Sequence, residues 1–486
     1  MLLVLLVPPV GVALLGAART RAQLNGVAAG AAVLSLAFVL LLIAQVLGQG
    51  PVAFASGLLY VDALSALVFL IVGLVGFSAL LYSIDYMGRD GSPHPTPVPR
   101  LRRYYAFVLL FLLTMYLVLE ADNLGLLWIA LEATTLVSAL LVAHYGTRRA
   151  QEASWKYLIL CSAGLAFALF GTLLLYLASV RTLGASASGL DWTTLLAAAP
   201  RLDPGLVRLA LIFLFVGYGT KAGLAPLHTW LPDAHSEAPT PVSALLSGAL
   251  LNCAMYALIR IDALTRPLPG FDLNSALFLA FGLLSVFLAA LFLYTQRDLK
   301  RLLAYSSVEN MGIISLGLAF GGAIGVFGSL LQMLNHATTK AALFLLGGSL
   351  AVAAGTKDLE KIQGTLAALP ATGLLLLVSG LAIAGVPPFS LFSSEFLIVS
   401  AGFSGGDPVA AALLLTALGL VFGGLLIQLL RVLLGAPHHP FGPPLRATVG
   451  LSLAVGVLVA FAVGLGLVLP DPLLHLLRAA ARVVTG

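Results

Sequence analysis

Apolar runs of about 20 residues, the length that crosses a hydrocarbon core, follow one another along nearly the whole chain. They fall near residues 2–17, 27–48, 58–83, 104–121, 123–145, 154–180 and 206–231. The rest lie near 240–262, 273–295, 300–320, 323–352, 371–399, 408–434 and 446–469. The pattern predicts an all-α polytopic membrane protein with about fourteen transmembrane helices. After the last run, Asp471-Pro-Leu-Leu-His-Leu-Leu-Arg478-Ala-Ala-Ala-Arg482 reads as a short amphipathic helix on the membrane surface.

Two runs are interrupted. The seventh leads into Lys221-Ala-Gly-Leu-Ala-Pro226-Leu-His228-Thr-Trp-Leu-Pro232-Asp233-Ala-His235-Ser-Glu237. Proline cannot donate to the helix ladder and clashes with the preceding turn. A helix broken at membrane depth persists only where protein or water satisfies the freed backbone groups. The twelfth run echoes the break with Ala384-Gly-Val-Pro387-Pro388-Phe. The breaks lie five spans apart, and an odd offset reverses orientation. Broken helices at matching places in two inverted halves mark the transport site in transporter folds. The chain then divides into helices 1–3 (residues 1–103) and a first inverted five-helix repeat at 104–262, broken at 221–232. A second repeat occupies 263–434, broken at 385–395, and residues 435–486 hold helix 14 and the amphipathic helix.

Composition agrees with this pattern. Hydrophobic residues make up 60% of the chain and charged residues 9%, against about 25% charged in a soluble domain. The mean hydropathy is +1.06. Of 25 lysines and arginines, sixteen fall on alternate loops, from Arg19, Arg21 and Arg89 to Arg431 and Arg446. Seven fall on the other side (Arg181, Arg201, Arg208, Arg260, Arg266, Arg478, Arg482), and Lys221 and Lys340 lie within spans. The positive-inside rule then puts both termini outside. Met1-Leu-Leu-Val-Leu-Leu-Val lacks the basic segment that opens a cleaved signal, so it reads as a retained first span. The net charge of +5 speaks to topology and not to nucleic acid. Residues 85–102 form a proline-rich inner connection, and 181–205 an outer one with a surface helix near 191–199.

Cys161 and Cys253 lie singly in apolar spans and read as small packing residues. With no CxxC or Cys/His cluster, no iron–sulfur, zinc or haem site of the usual kinds is encoded. Catalytic and metal residues are therefore not expected here, and any redox chemistry belongs to another chain.

Several ionisable residues stand inside apolar runs: Glu132, Lys221, Glu309, His336, Lys340 and Glu395. Their signs alternate along the chain. His336 and Lys340, four apart, share a helix face. Intramembrane charge is rare and functional by default. Paired Glu and Lys can each remain charged in low dielectric, whereas an isolated lysine loses its proton and an isolated glutamate gains one. A row of such groups can pass protons, with hydroxyls, His228 and water bridging the gaps. The plainer reading is static ion pairs that pin helices. Glu120 and Asp122, at an outer boundary, read as a solvated turn. Asp233, His235 and Glu237, at the inner end of the broken span, read either as a polar turn or as a mouth where protons arrive.

At these residues the sequence resembles the proton-translocating antiporter-like subunits of respiratory complex I, Mrp antiporters and membrane-bound hydrogenases. The strings that carry the likeness begin with the Lys221–His235 stretch and Ala238-Pro-Thr-Pro-Val-Ser-Ala-Leu. They continue with Asp298-Leu-Lys-Arg-Leu-Leu-Ala-Tyr-Ser-Ser, Asn335-His-Ala-Thr-Thr-Lys-Ala-Ala-Leu-Phe and Gly385-Val-Pro-Pro-Phe. Ser306-Ser-Val-Glu-Asn-Met-Gly and the whole string from His235 to Cys253 look most like the hydrogenase-4 component F branch. The resemblance implies that Glu132 is the fifth-span glutamate and Lys221 its partner lysine. It makes Lys340, with His336, the central lysine of the second half, and Glu395 the terminal charged position. Many relatives carry a lysine in the eighth span where this chain has Asn252, so the link between the halves must use water, His336 or another group.

The resemblance further implies a subunit in the inner (plasma) membrane of a prokaryotic cell, partnered by other membrane subunits and by a peripheral redox module that carries iron–sulfur or other centres. The expected function is proton translocation along a buried Glu/Lys/His relay in a redox-driven, hydrogenase- or NADH dehydrogenase-like complex. A subunit of a Mrp-type cation/proton antiporter and a non-conducting structural subunit remain open at this point.

Overall fold

Helix caps set the boundaries of the first elements. The computed structural model describes residues 1–88, 96–268, 272–405, 407–436, 441–442, 445 and 448–486. Residues 89–95 of the proline-rich connection, with Arg89, and also Arg446 lie outside these residues. Helices α1 (Leu2–Ala17) and α2 (Arg21–Gln49) form a hairpin, and Thr20 and Gln23 make a reciprocal capping box at the start of α2. Strands β1 (Val52–Phe54) and β2 (Leu59–Val61) pair antiparallel, with Val52 opposite Val61 and Phe54 opposite Leu59. The expected third span therefore starts later than 58. Leu59-Tyr-Val is strand, and the Asp62 carboxylate caps α3 (Ala63–Tyr86) by accepting from the Ser65 amide at 3.0 Å.

The first half continues through α4 (Val98–Glu120), α5 (Leu124–Val142), α6 (Arg148–Leu183), the short α7 (Trp192–Ala198) and α8 (Pro204–Ala222). Gly223, at φ +75°, ends α8, and α9 (Trp230–Glu237) resumes after six residues. Helix α10 (Thr240–Leu245), a π turn at Leu246–Leu250 and α11 (Leu251–Thr265) form one continuous rod. Then come α12 (Leu273–Leu293), α13 (Leu299–Phe320), α14 (Gly322–Ala354) and the single turn α15 (Thr365–Ala368). The second break separates α16 (Pro370–Ile383) from α17 (Ser390–Ser404). Helices α18 (Pro408–Leu433), α19 (Val449–Leu467) and α20 (Asp471–Thr485) close the fold.

Among the described residues, twelve helices are long and apolar enough to cross a membrane, the α10–α11 rod counting as one, and α1, α16 and α17 are shorter apolar helices. Each expected run coincides with a helix, or with the two arms of a broken one. Helices α3, α10, α11, α13 and α14 are buried nearly all round and form the centre. The outer helices turn large apolar side chains outward, among them Leu41, Ile159, Leu291, Ile427 and Leu453. Exposed apolar surface on this scale is what a lipid-facing wall requires.

Helices α6 and α8 approach closely through small residues. A Cβ on Gly217 would lie 2.5 Å from that of Ala168, and one on Gly164 2.7 Å from Thr220. Helix α20, expected on the surface, packs Leu476, Leu477, Ala480 and Val484 inward against α3 and α14, leaving Arg478 and Arg482 exposed.

Candidate functional site

The ionisable residues expected inside the membrane are distributed over three places along the buried centre, and the expected mouth residues Asp233 and Glu237 form a fourth, partly exposed one. The first surrounds Lys221, in the last turn of α8, which is fully buried. Its Nζ donates to Thr135 Oγ1 at 2.8 Å and to the Tyr157 hydroxyl at 2.7 Å. Tyr157 in turn lies 2.7 Å from Ser138 Oγ. Glu132, one turn from Thr135 on α5, accepts from Ser162 Oγ at 2.6 Å. Among the described residues Glu132 and Lys221 make no ion pair, and a layer of hydroxyls surrounds the lysine instead.

The break beside Lys221 is satisfied by side chains. The Ala225 amide donates to Ser285 Oγ at 2.8 Å, and Trp230 Nε1 donates to the Thr220 carbonyl at 2.9 Å. The second break is served likewise, with Asn335 Nδ2 donating to the Ser390 carbonyl at 2.8 Å. Both breaks contain a cis X–Pro peptide, Ala225–Pro226 and Pro387–Pro388. Neighbouring helices thus supply the partners that a broken membrane helix needs.

The second place is the middle of α14. Lys340 is fully buried and its Nζ donates to the Leu303 carbonyl at 2.8 Å. His336, one turn earlier, is buried with neither ring nitrogen bonded to protein. His235, expected at the inner mouth, is also here: it stacks on Phe344 of α14 at 5.0 Å and is fully buried. His228 lies apart, its ring 6.1 Å from that of Tyr305.

The third place joins Glu309 and Glu395. Both line a cavity of about 280 Å³ between α13, α17 and α18. Behind it runs a string of polar side chains. Asn310 Nδ2 donates to Glu309 at 2.9 Å, Gln332 Nε2 to Asn310 Oδ1 at 2.8 Å, and Ser394 Oγ to Gln332. Asn335 Nδ2 reaches Ser394 Oγ at 3.1 Å.

The fourth place is the cluster expected at the inner mouth. Asp233 pairs with Lys156 at 3.3 Å and with Arg301, while Lys357 pairs with Glu237 at 2.9 Å and Asp298 at 3.2 Å. These side chains line a polar cavity of about 280 Å³. Between the halves, Ser247 Oγ in the π turn meets Ser307 Oγ of α13 at 2.8 Å. Asn252 spends its amide on the Gly248 carbonyl at 2.7 Å, and its Oδ1 has no protein partner.

Sequence reasoning missed some of these groups and misplaced others. Thr135 and Tyr157, which hold Lys221, were not singled out, although Thr135 sits three residues after Glu132 on one helix face. Gln332, four before His336, could have been found the same way. The hydroxyl of Thr220, next to Lys221, bonds the Val216 carbonyl in its own helix. Arg260, assigned to an outer loop, is buried. Its guanidinium donates to both Asp62 oxygens at 2.6 and 2.7 Å, and it lies 4.4 Å from the Trp192 ring. Glu120 and Asp122 are buried too, not solvated. Burial pushes the Asp122 carboxyl above its usual range, against the pull of two hydrogen bonds from Thr193. Among the described residues no three His, Cys, Asp or Glu side chains could together hold a metal ion.

Comparison with known proteins agrees with this architecture. Residues 121–420 match the family described as NADH:quinone oxidoreductase/Mrp antiporter, TM, and residues 55–105 match the N-terminal region of NADH-ubiquinone oxidoreductase (complex I) chain 5. The chain is 42% identical to a hydrogenase-4 component F homolog of Methylacidiphilum infernorum over 383 residues, 79% of this chain and 80% of that one. It is 31% identical to hydrogenase-4 component B of Escherichia coli, over 75% of this chain and 53% of the relative, about half its length. A chain in the structure of the membrane-bound sulfane sulfur reductase, an archaeal respiratory membrane complex, superposes with a TM-score of 0.87 at 25% identity, covering 99% of this chain and 97% of that one. The chain belongs to the transmembrane family shared by NADH:quinone oxidoreductases and Mrp antiporters.

Proposed function

We propose that this chain is the proton-translocating membrane subunit of a redox-driven complex of the hydrogenase or NADH dehydrogenase kind. The observation that carries the reading is the burial of Lys221 and Lys340 with, among the described residues, no carboxylate in ion-pair contact. A lysine whose only purpose is to pin helices is expected to be locked to an acid. Hydroxyls such as Thr135 and Tyr157 can accept from an ammonium or donate to an amine, so they tolerate both protonation states of Lys221.

On this reading protons arrive near Asp233 and Glu237, pass the Lys221 centre and then Lys340 with His336 and His235, and leave past Glu309 and Glu395. The Ser247–Ser307 contact offers a link where Asn252 replaces an ionisable group. Moving one charge against 100 mV requires about 2.3 kcal/mol, within reach of a change of partner at a buried lysine. The redox centres that drive the cycle are assigned to a peripheral partner module, joined through other membrane subunits. The hydrogenase-4 and respiratory-complex relatives support such partners. The chain is assigned to a prokaryotic plasma membrane with both termini outside, and its two inverted repeats to residues 104–262 and 263–434.

The test is proton uptake by vesicles holding the purified complex. The expected outcome for Lys221→Ala is an assembled complex with retained electron transfer and no proton transport. Normal pumping by that variant overturns the reading. Uptake that requires sodium, with no redox subunit copurifying, would instead indicate a cation/proton antiporter.

A further inference from the structure

Where α14 begins and α19 ends, helix α20 roofs a groove of about 770 Å³. Its floor is apolar: Ile324 and Phe327 from α14, Leu397 from α17 and Leu469 from the turn before α20. Phe327 lies five residues into its helix, so at 1.5 Å per residue the groove descends about 8 Å below the helix ends. Its rim is cationic. His475, Arg478 and Arg482 follow at helical spacing, and all three line the groove and are solvent-exposed. No acidic side chain lines it, and among the described residues neither arginine makes an ion pair.

This end of the bundle is opposite the Asp233–Arg301 cluster, because α13 runs from Arg301 near its start to Phe320 beside the start of α14. An apolar floor with Ile324 exposed, under two guanidiniums without ion pairs where the helices end, matches an amphiphile with an anionic head and hydrocarbon tails. Arginine binds phosphate in a bidentate fashion, and basic pockets between membrane helices hold acidic lipid headgroups. We propose that the α20 groove binds one acidic phospholipid of the surrounding bilayer, its phosphate on Arg478 and Arg482 and an acyl chain over Ile324 and Phe327. This inference stands apart from the proton-transfer reading and survives if that reading fails.

The experiment uses the full chain in lipid nanodiscs doped with phosphatidylglycerol carrying a photoreactive acyl chain, with the equivalent phosphatidylcholine in parallel. Peptide mapping is expected to find label on 323–327 and 469–485 with phosphatidylglycerol only. Arg478→Gln/Arg482→Gln should reduce that labelling on the order of 10- to 30-fold, as expected for two cations lost near an anionic headgroup. Arg478→Lys/Arg482→Lys should retain most of it, which separates charge from fold. Excess inorganic phosphate should not compete, since the tails supply much of the binding. Equal labelling by both lipids, indifference to the glutamine variant, or displacement by free phosphate each overturns the proposal.

Discussion

Glu309 of α13 and Glu395 of α17 open onto one cavity, and among the described residues neither carboxylate makes an ion pair. A polar side-chain string through Asn310, Gln332 and Ser394 runs from Glu309 to the residue before Glu395. Glu309→Gln and Glu395→Gln should each remove most of the proton flux through reconstituted complex. The double variant should be no worse than the poorer single one, because groups in one network are non-additive. Losses that multiply would show two independent steps.

Gly385 stands against the same carboxylate. Its φ is +70°, and a Cβ built there collides with Glu395 Oε2. Gly385→Ala should therefore destabilise the chain by about 1–2 kcal/mol through left-handed backbone alone, seen as a lower melting temperature. It should also lower proton flux, because Glu395 must move. A variant with wild-type flux would show that the carboxylate position is not critical.

Much of this arrangement was legible in the sequence because lipid makes it so. Apolar length alone outlines the helices, and Lys221 and Glu395 stand out because charge is costly in hydrocarbon. The breaks were visible in Pro226, Pro387 and Pro388. What stayed hidden depends on neighbours far along the chain. Nothing local says that Tyr157 of α6 meets Lys221 of α8, or that Ser247 meets Ser307. Arg260 was misread because it sits near the end of an apolar run, where an arginine can equally reach solvent. Only its partner Asp62, 198 positions away, reveals a buried site. His235 looked like part of a polar mouth by adjacency to Asp233, yet the turn of α9 points it at Phe344 instead.

The Asp62–Arg260 pair ties the start of α3 to α11, and both side chains are nearly inaccessible. Removing one member leaves an uncompensated buried charge, which costs about 3–5 kcal/mol. Asp62→Ala or Arg260→Ala should depress the melting temperature sharply. A double replacement by apolar residues of matched size should recover much of the loss. If both singles melt like wild type, the pair is not what holds α3 to α11.

Asp233 is a different case. It meets Lys156 from α6 and Arg301 from α13, but all three side chains are partly exposed. Ion pairs of this kind contribute about 0–1 kcal/mol, so Asp233→Asn should barely change stability. On the proposed route proton uptake should nevertheless fall, because Asp233 is the acid assigned to collect protons. Unchanged uptake would make the cluster a solvated surface and nothing more.

Tyr157 offers the finest test of the Lys221 centre. Its hydroxyl bridges Lys221 Nζ and Ser138 Oγ, at 2.7 Å on each side. Tyr157→Phe keeps the ring, which packs on Trp230 at 4.7 Å, and deletes only that bridge. Stability should drop by about 1.5–3 kcal/mol for a buried hydrogen bond to a charged group. Lys221 retains Thr135 at 2.8 Å, so the lysine itself stays in place. Proton flux should then fall severalfold without vanishing, whereas Lys221→Ala should abolish it. Adding Ser138→Ala to Tyr157→Phe should bring little further loss, since the path to Ser138 is already cut. If Tyr157→Phe pumps normally, protons leave Lys221 by way of Thr135, and Thr135→Val should then show the defect instead.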